Sequence, residues 1–547
     1  MSHLDEIERL KAIIKAQQQQ LQQKDAKIEK QEKTIQKQEH QIEIMMQALL
    51  QARKKIYGKS SEVSQGFEGQ LSLFTTTNEL VQELLKQKKE IEVKPYTRTP
   101  RAPGVRAEML ATLPHEVEIC EIPSNDTCSI CDSSLKVIGK EVVRTEVELI
   151  PSKLIVKQIV REVAKCTVCG TGKNENPKDH FQKAKVSPKI LSHSIATPSL
   201  AAQVMYQKFA LGVPFKRQES DYYRMGLVLP RNSMAHWTIR CSQDWFTPIY
   251  HRIREKLLSC ETLHMDETRI QVNKEEGRQA HSQSFMWVMQ SGVAEAINAT
   301  FFHYTTSRSV QEATDLLEGL HGYLMTDAYI AYKKLDHIKN SFCWAHCRRY
   351  FVDSIPLDSK GKEIPGSKGA EGREYIKLLF KLEEKISDLN YEEKKLKRQD
   401  ASRAILDAFW AWVDETAAIP TMNDKLTAAL NYAKNNRIYL ETFLEDGRLE
   451  ISNNRCEAHI KPFATARRAW LFADTPKGAT ANAMLYTLVE SAKANELNVY
   501  EYLKYLLTQM PELDYHNRPE LLDDLLPWSD QLPDDCRLKQ VKKKCLK

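Results

Sequence analysis

The stretch Leu263-His-Met-Asp-Glu-Thr-Arg-Ile-Gln-Val272 predicts a β-strand that carries a carboxylate in its middle. Four shorter apolar segments with the same strand-like composition follow it along the chain. The five predicted strands cover residues 262–272, 285–290, 299–304, 323–327 and 341–344. A helical pattern at 309–320 separates two of them, and helical patterns return over 370–445 and 450–510. This order predicts a core of mixed α and β structure.

Three acidic residues stand at places where solvation alone does not explain them. Asp266 lies inside the first predicted strand, Asp327 ends the fourth, and Glu457 lies at the start of a predicted helix. A carboxylate inside or at the end of an apolar strand is poorly solvated unless a cation meets it. If the three converge, they could hold two Mg²⁺ ions, which activate an attacking water or 3′-hydroxyl and stabilise the leaving oxygen in phosphoryl transfer.

The spacing of these carboxylates also leaves simpler explanations open. The chain has 73 Asp and Glu residues, so each of the three could equally be a solvated or salt-bridged group. Glu267 is a competitor for the role of Asp266, although strand alternation places it on the other face of the sheet.

Two Cys-x-x-Cys pairs predict a zinc site. Two predicted strands, at 142–147 and 154–160, lie between the pairs. Four thiolates bind Zn²⁺ tetrahedrally and leave no open position, so the role would be structural. The alternative is four buried free cysteines. The predicted ligands are Cys128, Cys131, Cys166 and Cys169.

The segment between Lys140 and Arg240 is the most basic part of the chain. It has 17 Lys and Arg against 8 Asp and Glu, an excess of nine, whereas the whole chain carries +6 and the remainder therefore −3. Such a concentration is typical of a surface that meets phosphates, or of a merely solvated surface. Within it, residues 214–240 predict a helix, a turn at Gly226 and a second helix, a generic pattern that also occurs outside DNA-binding proteins. The predicted base-reading side chains at the start of the second helix are Arg231, Asn232, Ser233 and His236.

The N-terminal segment 1–55 predicts a coiled coil. It contains no aromatic residue, Pro or Gly, and an aliphatic residue recurs at every seventh position from Ile7 to Leu49. The second heptad position that a coiled coil needs, three residues after the first, has few apolar residues and includes Gln17 and Lys24. A solvated Gln-rich helix is therefore the alternative. The Pro- and Gly-containing segment 56–118 predicts a linker.

The composition of the chain excludes several classes of protein. Hydrophobic residues make up 42% and charged residues 28% of the 547, which is ordinary for a protein with a packed core. No apolar run is long enough to cross a membrane, and the start of the chain does not resemble a signal peptide, so we expect a cytoplasmic protein without a membrane partner. Twelve cysteines are too few for a disulfide scaffold. Cys343 and Cys347, which flank His346, could bind a metal, but packing is the expected role.

The ordered motifs of this chain resemble the insertion-sequence-66 family of bacterial transposases. The resemblance covers nearly the whole chain and includes both cysteine pairs. Its remaining blocks are Lys55-Ile-Tyr-Gly-Lys-Ser-Ser-Glu62, Val213-Pro-Phe-Lys-Arg-Gln218, Leu263-His-Met-Asp-Glu-Thr268, Thr326-Asp-Ala-Tyr329, Cys343-Trp-Ala-His-Cys-Arg-Arg349, Asn453-Asn-Arg-Cys-Glu457, Arg467-Arg-Ala-Trp-Leu-Phe472, Ser491-Ala-Lys-Ala-Asn495 and Leu525-Leu-Pro-Trp528.

The resemblance implies a DDE transposase with a ribonuclease-H-like catalytic core. Asp266, Asp327 and Glu457 fall on the family's catalytic positions, where they would hold two Mg²⁺ ions, with Mn²⁺ as a possible substitute. The implied substrates are the terminal inverted repeats of an insertion sequence and a target DNA, which the enzyme would nick and join, associated with the nucleoid when bound. Lys461, Arg467 and Arg468 are candidate phosphate contacts, with surface solvation as the alternative. A homo-oligomer formed through the coiled coil and small accessory proteins of the same element are the expected partners.

The predicted fold is therefore multidomain α+β. In chain order we expect a coiled coil at 1–55, a linker at 56–118, a zinc-binding domain at 119–190, a helical DNA-binding segment at 191–260, a ribonuclease-H-like α/β core at 261–510 with a helical insertion at about 365–445, and a C-terminal element with a basic tail at 511–547.

The motif around the glutamate departs from the family pattern at two positions. The family usually has Asp where this chain has Ser452, and Arg where it has Ala458. The glutamate itself remains. Two alternatives to a transposase therefore stay open: a non-catalytic DNA-binding or assembly protein, and a ribonuclease-H-like nuclease without strand transfer.

Overall fold

The computed structural model of the chain describes residues 117, 142, 147, 153–165, 181–335, 337–359, 361–421 and 423–539. The predicted coiled coil, nearly all of the linker and the four predicted zinc ligands lie outside these residues. The described residues form two compact units. One consists of residues 355–359 and 361–370, where Leu357 and Glu363 form an antiparallel bridge. The other contains the rest and carries the sheet.

Two short strands, β1 (Val163–Lys165) and β2 (Phe181–Lys183), form an antiparallel pair near the start of the described chain. The strand predicted at 154–160 is wrong, because these residues have no regular structure. The β-branched side chains that suggested it are solvent-exposed, Val156 to 95%. A strand needs a paired neighbour and a surface to pack on, and β propensity alone supplies neither.

A five-stranded sheet lies at the centre of the larger unit, with the strand order β5-β4-β3-β6-β7. The long strand β3 is antiparallel to β4, β4 is antiparallel to β5, and β6 and β7 continue the sheet parallel to β3. The strands are β3 (Thr262–Gln271), β4 (Gln283–Ser291), β5 (Thr300–Thr305), β6 (Tyr323–Thr326) and β7 (Lys339–Phe342). Each coincides within a few residues with a predicted strand.

Four helices precede the sheet, and the second and third fall where the sequence predicts a helix pair. Pro214 and Pro230 precede these two helices, and Gly226 between them has φ = +87°, which a glycine adopts without strain. A π-helical segment, Ser242–Phe246, joins the third helix to the fourth. The helices are α1 (Pro198–Phe209), α2 (Phe215–Arg224), α3 (Arg231–Cys241) and α4 (Thr247–Leu258).

Three helices alternate with the later strands, and five more precede the segment that carries Glu457. Helix α7, which directly follows β7, packs on α11. The first three are α5 (Val310–Leu316), α6 (Ile330–Lys333) and α7 (Trp344–Ser354). The next five are α8 (Lys368–Lys385), α9 (Tyr391–Lys397), α10 (Arg403–Ala418), α11 (Asp424–Asn435) and α12 (Arg437–Glu441).

The last three long helices close the core. They are α13 (Asn454–Trp470), α14 (Pro476–Ala494) and α15 (Val499–Gln509). Helix α13 lies on β3 and β4, α14 packs on β5, and α15 packs on α1. Helices from before and after the sheet therefore share one hydrophobic core. The observed class is mixed α and β, as predicted. Within the described ranges, the helices lack the combination of length and apolar composition that a membrane crossing requires.

Candidate active site

Asp266 lies within β3, and Asp327 directly follows the neighbouring parallel strand β6. The register pairs Thr262 with Tyr323 and His264 with Met325, and the two aspartates come two residues after the last of these pairs, near each other at the point where β6 ends. Parallel neighbours in a sheet are about 5 Å apart, which brings both carboxylates to one place. Asp266 Oδ1 accepts the backbone N–H of Glu267 at 2.8 Å, and Asp327 Oδ1 accepts that of Tyr329 at 2.9 Å.

Glu457 reaches the same place because the start of α13 is tied to three strands. The amide of Asn453 donates to the Met265 carbonyl at 2.9 Å, and its Oδ1 lies 3.1 Å from His264 Nδ1, both on β3. The backbone N–H of Asn453 donates to Cys343 Sγ at 3.1 Å, directly after β7. Glu457 lies on the first turn of the helix, next to Cys456. The Sγ of Cys456 donates to the carbonyl of Val288 on β4, which pairs with Asp266.

The electrostatics of the site show that Asp327 and Glu457 both act on Asp266. Burial and then the charges of Glu267, Asp327 and Glu457 raise the pKa of Asp266 to about 7. Two like charges in a shared, poorly solvated site disfavour ionisation, and a divalent cation between them would reverse that effect.

Glu267 has its own partners, so it is not free to replace Asp266. Its carboxylate accepts the Tyr332 hydroxyl at 2.8 Å and the Arg308 guanidinium at 3.2 Å. Burial raises the pKa of Glu267, and these two donors oppose the increase.

His346 is a further member of the site. Its Nε2 lies 3.7 Å from Glu457 Oε1, and both Glu457 Oε1 and His346 Nδ1 are buried without a hydrogen-bond partner. Burial, together with the charge of Arg349, lowers the pKa of this imidazole, while Glu457 and Asp327 act in the opposite direction. Sequence reasoning assigned His346 no catalytic role. The signal that could have found it is its place directly after a strand in the motif that begins at Cys343.

The donor set suits a hard divalent cation. Carboxylate oxygens are the ligands that Mg²⁺ and Mn²⁺ prefer, Glu457 Oε1 has no hydrogen-bond partner, and burial beside other acidic groups raises the pKa of Asp266. In the part of the chain that the structure describes, no three His, Cys, Asp or Glu side chains are grouped closely enough to hold a metal ion. The cysteines at 343 and 347 are buried free thiols, in line with the packing role expected for them.

The candidate DNA contacts lie on two other surfaces. On α3, Arg231, Asn232 and His236 are exposed and Ser233 is half-buried, while Trp237 on the opposite face is buried. On α13, Lys461 and Arg468 are exposed and Arg467 is half-buried. These residues are not part of the carboxylate site itself.

Four family models match successive parts of the chain. Residues 193–481 match the model described as "Transposase IS66 family", and residues 487–528 match the "IS66 C-terminal element". Residues 125–170 match the "zinc-finger binding domain of transposase IS66", and residues 45–117 match the "Transposase C of IS166 homeodomain". The zinc-finger match contains all four predicted zinc ligands.

Two relatives from Sinorhizobium fredii (strain NBRC 101917 / NGR234) match over most of their length. Uncharacterized protein y4jD is 26% identical over 423 residues, which cover 74% of this chain and 78% of the relative. Uncharacterized protein y4hP is 24% identical over 503 residues, which cover 87% and 86%. A solved structure titled "Drosophila P element transposase strand transfer complex" matches 65% of this chain and 91% of its own at 14% identity, with a TM-score of 0.22, too low to establish a shared fold.

Proposed function

The chain belongs to the IS66 family of transposases, and from this premise we propose that it is a metal-dependent enzyme that nicks and joins DNA at the carboxylate site. The observation that carries the proposal is the convergence of Asp266, Asp327 and Glu457 from a strand, a strand end and a helix. We propose a ribonuclease-H-like core, which is supported by Asp327 at the carboxyl end of β6, where α/β sheets bind their ligands, and by Asp266 within the neighbouring parallel strand β3.

In the proposed mechanism, Asp266, Asp327 and Glu457 would hold two Mg²⁺ ions, or Mn²⁺ in their place, and the ions would supply Lewis-acid activation of the attacking oxygen and stabilisation of the leaving one. Asp266 would lose its proton as the site is loaded, because its pKa near 7 is set by burial and by uncompensated neighbouring charge. Asn453 keeps Glu457 in place through its bonds to β3, and His346 lies against the same carboxylate.

The proposed reaction has two displacements at phosphorus. In the first, a water oxygen bonds to the phosphorus at the end of the element and the 3′-oxygen leaves as a hydroxyl. In the second, that hydroxyl attacks a target phosphodiester and expels the target's 3′-oxygen. One phosphoester bond forms as one breaks in the second step, so no nucleotide cofactor is needed.

We further propose how the rest of the chain serves this reaction. The side chains Arg231, Asn232, Ser233 and His236 would read the terminal inverted repeats, and Lys461, Arg467 and Arg468 would hold phosphates near the carboxylates. The zinc site of Cys128, Cys131, Cys166 and Cys169 would be structural. The N-terminal coiled coil would pair two protomers on the two ends, with accessory proteins of the same element as further partners.

The test is cleavage and joining with the full-length protein. The substrate is a labelled duplex that carries the terminal repeat flanking its gene, and the target is a supercoiled plasmid. With Mg²⁺ we expect a nicked product and then a joined product. Asp266→Asn should bind the duplex but lose both products by more than about 100-fold, equivalent to roughly 3 kcal/mol of activation free energy.

The matched control is Asp407→Asn, the same chemical change at an exposed position of α10, which should behave as the unmodified protein. Binding without cleavage by the unmodified protein would show a non-catalytic assembly protein. Cleavage without a joined product would show a nuclease that lacks strand transfer.

A further inference from the structure

Three arginines meet where the end of α13 is bonded back to the end of β3. After Trp470 the chain turns, and the N–H of Ala473 donates to the carbonyl of Gln271 at 2.9 Å, which continues as a parallel bridge between Ala473 and Val272. This brings Arg467, in the last turn of α13, close enough to Arg269 on β3 for their charges to interact, and Arg468 follows Arg467 in the helix. We call Arg269, Arg467 and Arg468 the arginine cluster.

The arginine cluster has positive charge without a protein partner. Among the residues that the structure describes, none of its three guanidinium groups is ion-paired with a carboxylate. Burial and the charges of the other two arginines lower the pKa of Arg467, so Arg467 stands among like charges. By contrast, Arg252, Arg308 and Arg448 around the same sheet each reach a carboxylate. Repelling cations held together by the fold are suited to an anion that comes from outside.

Two exposed apolar side chains stand directly beside the arginine cluster. Leu471 is 64% and Phe472 43% exposed, and we call this pair the apolar tip. Leu471 has φ = +62°, a backbone conformation that a side chain with a β-carbon disfavours. The tip has a firm base, because Trp470 before it packs edge-on against Phe463 in the core and Ala473 after it is fixed to β3.

We propose that the arginine cluster holds the phosphates of duplex DNA while the apolar tip enters the base stack beside them. Charge complementarity identifies the occupant, and apolar side chains flanked by arginines are the combination that proteins insert between base steps. The inference rests on the proposed function in one respect, that DNA is the substrate of the neighbouring carboxylate site.

The position of the cluster predicts where along the DNA this contact falls. Arg269 follows Asp266 by three residues of an extended strand, or about 10 Å. Arg467 follows Glu457 by ten residues of helix, or about 15 Å. Measured along these two elements, the arginine cluster therefore stands about 10–15 Å from the carboxylates, roughly three to four nucleotides at about 3.4 Å each, with Arg269 on the opposite face of the strand from Asp266.

The first experiment measures the salt dependence of DNA binding without divalent cations, so that no cleavage is required. The probe is a fluorescein-labelled 30-base-pair duplex of mixed sequence, and the readout is fluorescence anisotropy between 50 and 200 mM KCl. Each phosphate contact contributes about 0.9 to the slope of log K against log salt, or roughly 3.5-fold in affinity over this range. Arg269→Gln should reduce the slope by about 0.9, whereas Arg518→Gln, at an exposed arginine of the C-terminal segment, should leave it unchanged.

An unchanged slope in Arg269→Gln, with its melting temperature preserved, would overturn the proposal and make an acidic protein surface the better occupant. The outcome is independent of catalysis, because a protein that binds DNA in this way but does not cleave it refutes only the proposed function.

The second experiment tests the apolar tip with the same duplex carrying 2-aminopurine, whose fluorescence rises when its base is unstacked. Binding of the unmodified protein should raise the signal, and the double variant Leu471→Ala, Phe472→Ala should lose the rise while its salt slope stays unchanged. Ile438→Ala, which truncates an 81% exposed side chain of α12, is the control and should keep the rise. The proposed entry of the apolar tip into the base stack would be overturned by a fluorescence rise that persists in the double variant. It would also be overturned if the unmodified protein gave no rise at any probe position.

Discussion

Replacement of Asp266 by Asn should stabilise the protein free of added metal while it abolishes cleavage. The pKa of Asp266 is about 7 in the folded protein against an ordinary value of 3.8, because the carboxylate is buried beside other acidic groups. At about 1.36 kcal/mol for each pH unit, an ionised Asp266 costs the folded state roughly 4 kcal/mol at pH 8. Asparagine removes the charge and keeps the Oδ1 acceptor for the N–H of Glu267.

The sign of the pH dependence follows from the raised pKa. The folded state binds this proton more tightly than the unfolded state, so the favourable contribution is complete below pH 3.8 and is lost as the pH rises through about 7. Asp266→Asn should therefore exceed the unmodified protein in free energy of unfolding by about 4 kcal/mol at pH 8 and by only about 2 kcal/mol at pH 5.

The measurement is urea unfolding in buffer without added divalent cation, followed by tryptophan fluorescence. Trp287 and Trp344 are fully buried in the sheet unit and report on its unfolding. Added Mg²⁺ should stabilise the unmodified protein by mass action and leave Asp266→Asn unaffected, while Asp407→Asn should change neither result. The predicted effect of the Asp266 charge would be refuted if Asp266→Asn were no more stable than the unmodified protein at pH 8. It would also be refuted if the difference in their free energies of unfolding were equal at pH 5 and pH 8.

Three further predictions concern other parts of the chain. Lys208 is buried on α1 over the rings of Phe215 and Trp470, and burial lowers its pKa to about 8. Lys208→Met should therefore raise the free energy of unfolding by about 3 kcal/mol at pH 7. This advantage should vanish between pH 8 and 10.5, because the unmodified protein gains stability as Lys208 loses its proton. Cys166→Ser should reduce the zinc content measured by atomic emission from one ion per chain to less than half an ion, whereas Cys260→Ser, at a buried free thiol, should keep it. His346→Gln should lower the rate of Mg²⁺-dependent nicking by about 10- to 100-fold without changing the salt slope of DNA binding, and an unchanged nicking rate at all Mg²⁺ concentrations would exclude a role for this imidazole.

The central sheet was predictable because its strands leave a local pattern. Each of the five predicted strands has the alternation or the apolar run that a half-buried or buried strand needs, and each is present. The residues at 154–160 have the same β-branched composition, but they are exposed and pair with no strand among the residues that the structure describes, so the local pattern was misleading there. Composition is a local property, and pairing is not.

The assembly of the site depends on contacts that no local pattern reports. Asp266 and Asp327 could be singled out as unusual carboxylates, but their nearness to each other follows from the pairing of β3 with β6. His346 was missed as a site residue because its contact with Glu457 joins two segments that lie far apart in the sequence, on either side of helices α8 to α12. The anchoring of α13 by Asn453 is equally remote, since its partners on β3 precede the whole of that helical stretch.

The two departures from the family motif fall where they spare this anchoring. Asn453 is fully buried and makes the bonds that fix the start of α13, whereas Ser452 is half-buried and Ala458 is exposed. Ser452 removes the negative charge of the family's Asp, and Ala458 removes the positive charge of its Arg. The net charge at the start of α13 is therefore unchanged, and the bonds that support Glu457 remain. Lys461 lies three residues after Ala458 on the same face of the helix, so a cation remains near the position that has lost one. The departures therefore alter the surface that DNA would meet, and they give no physical reason for Glu457 to be displaced from Asp266 and Asp327.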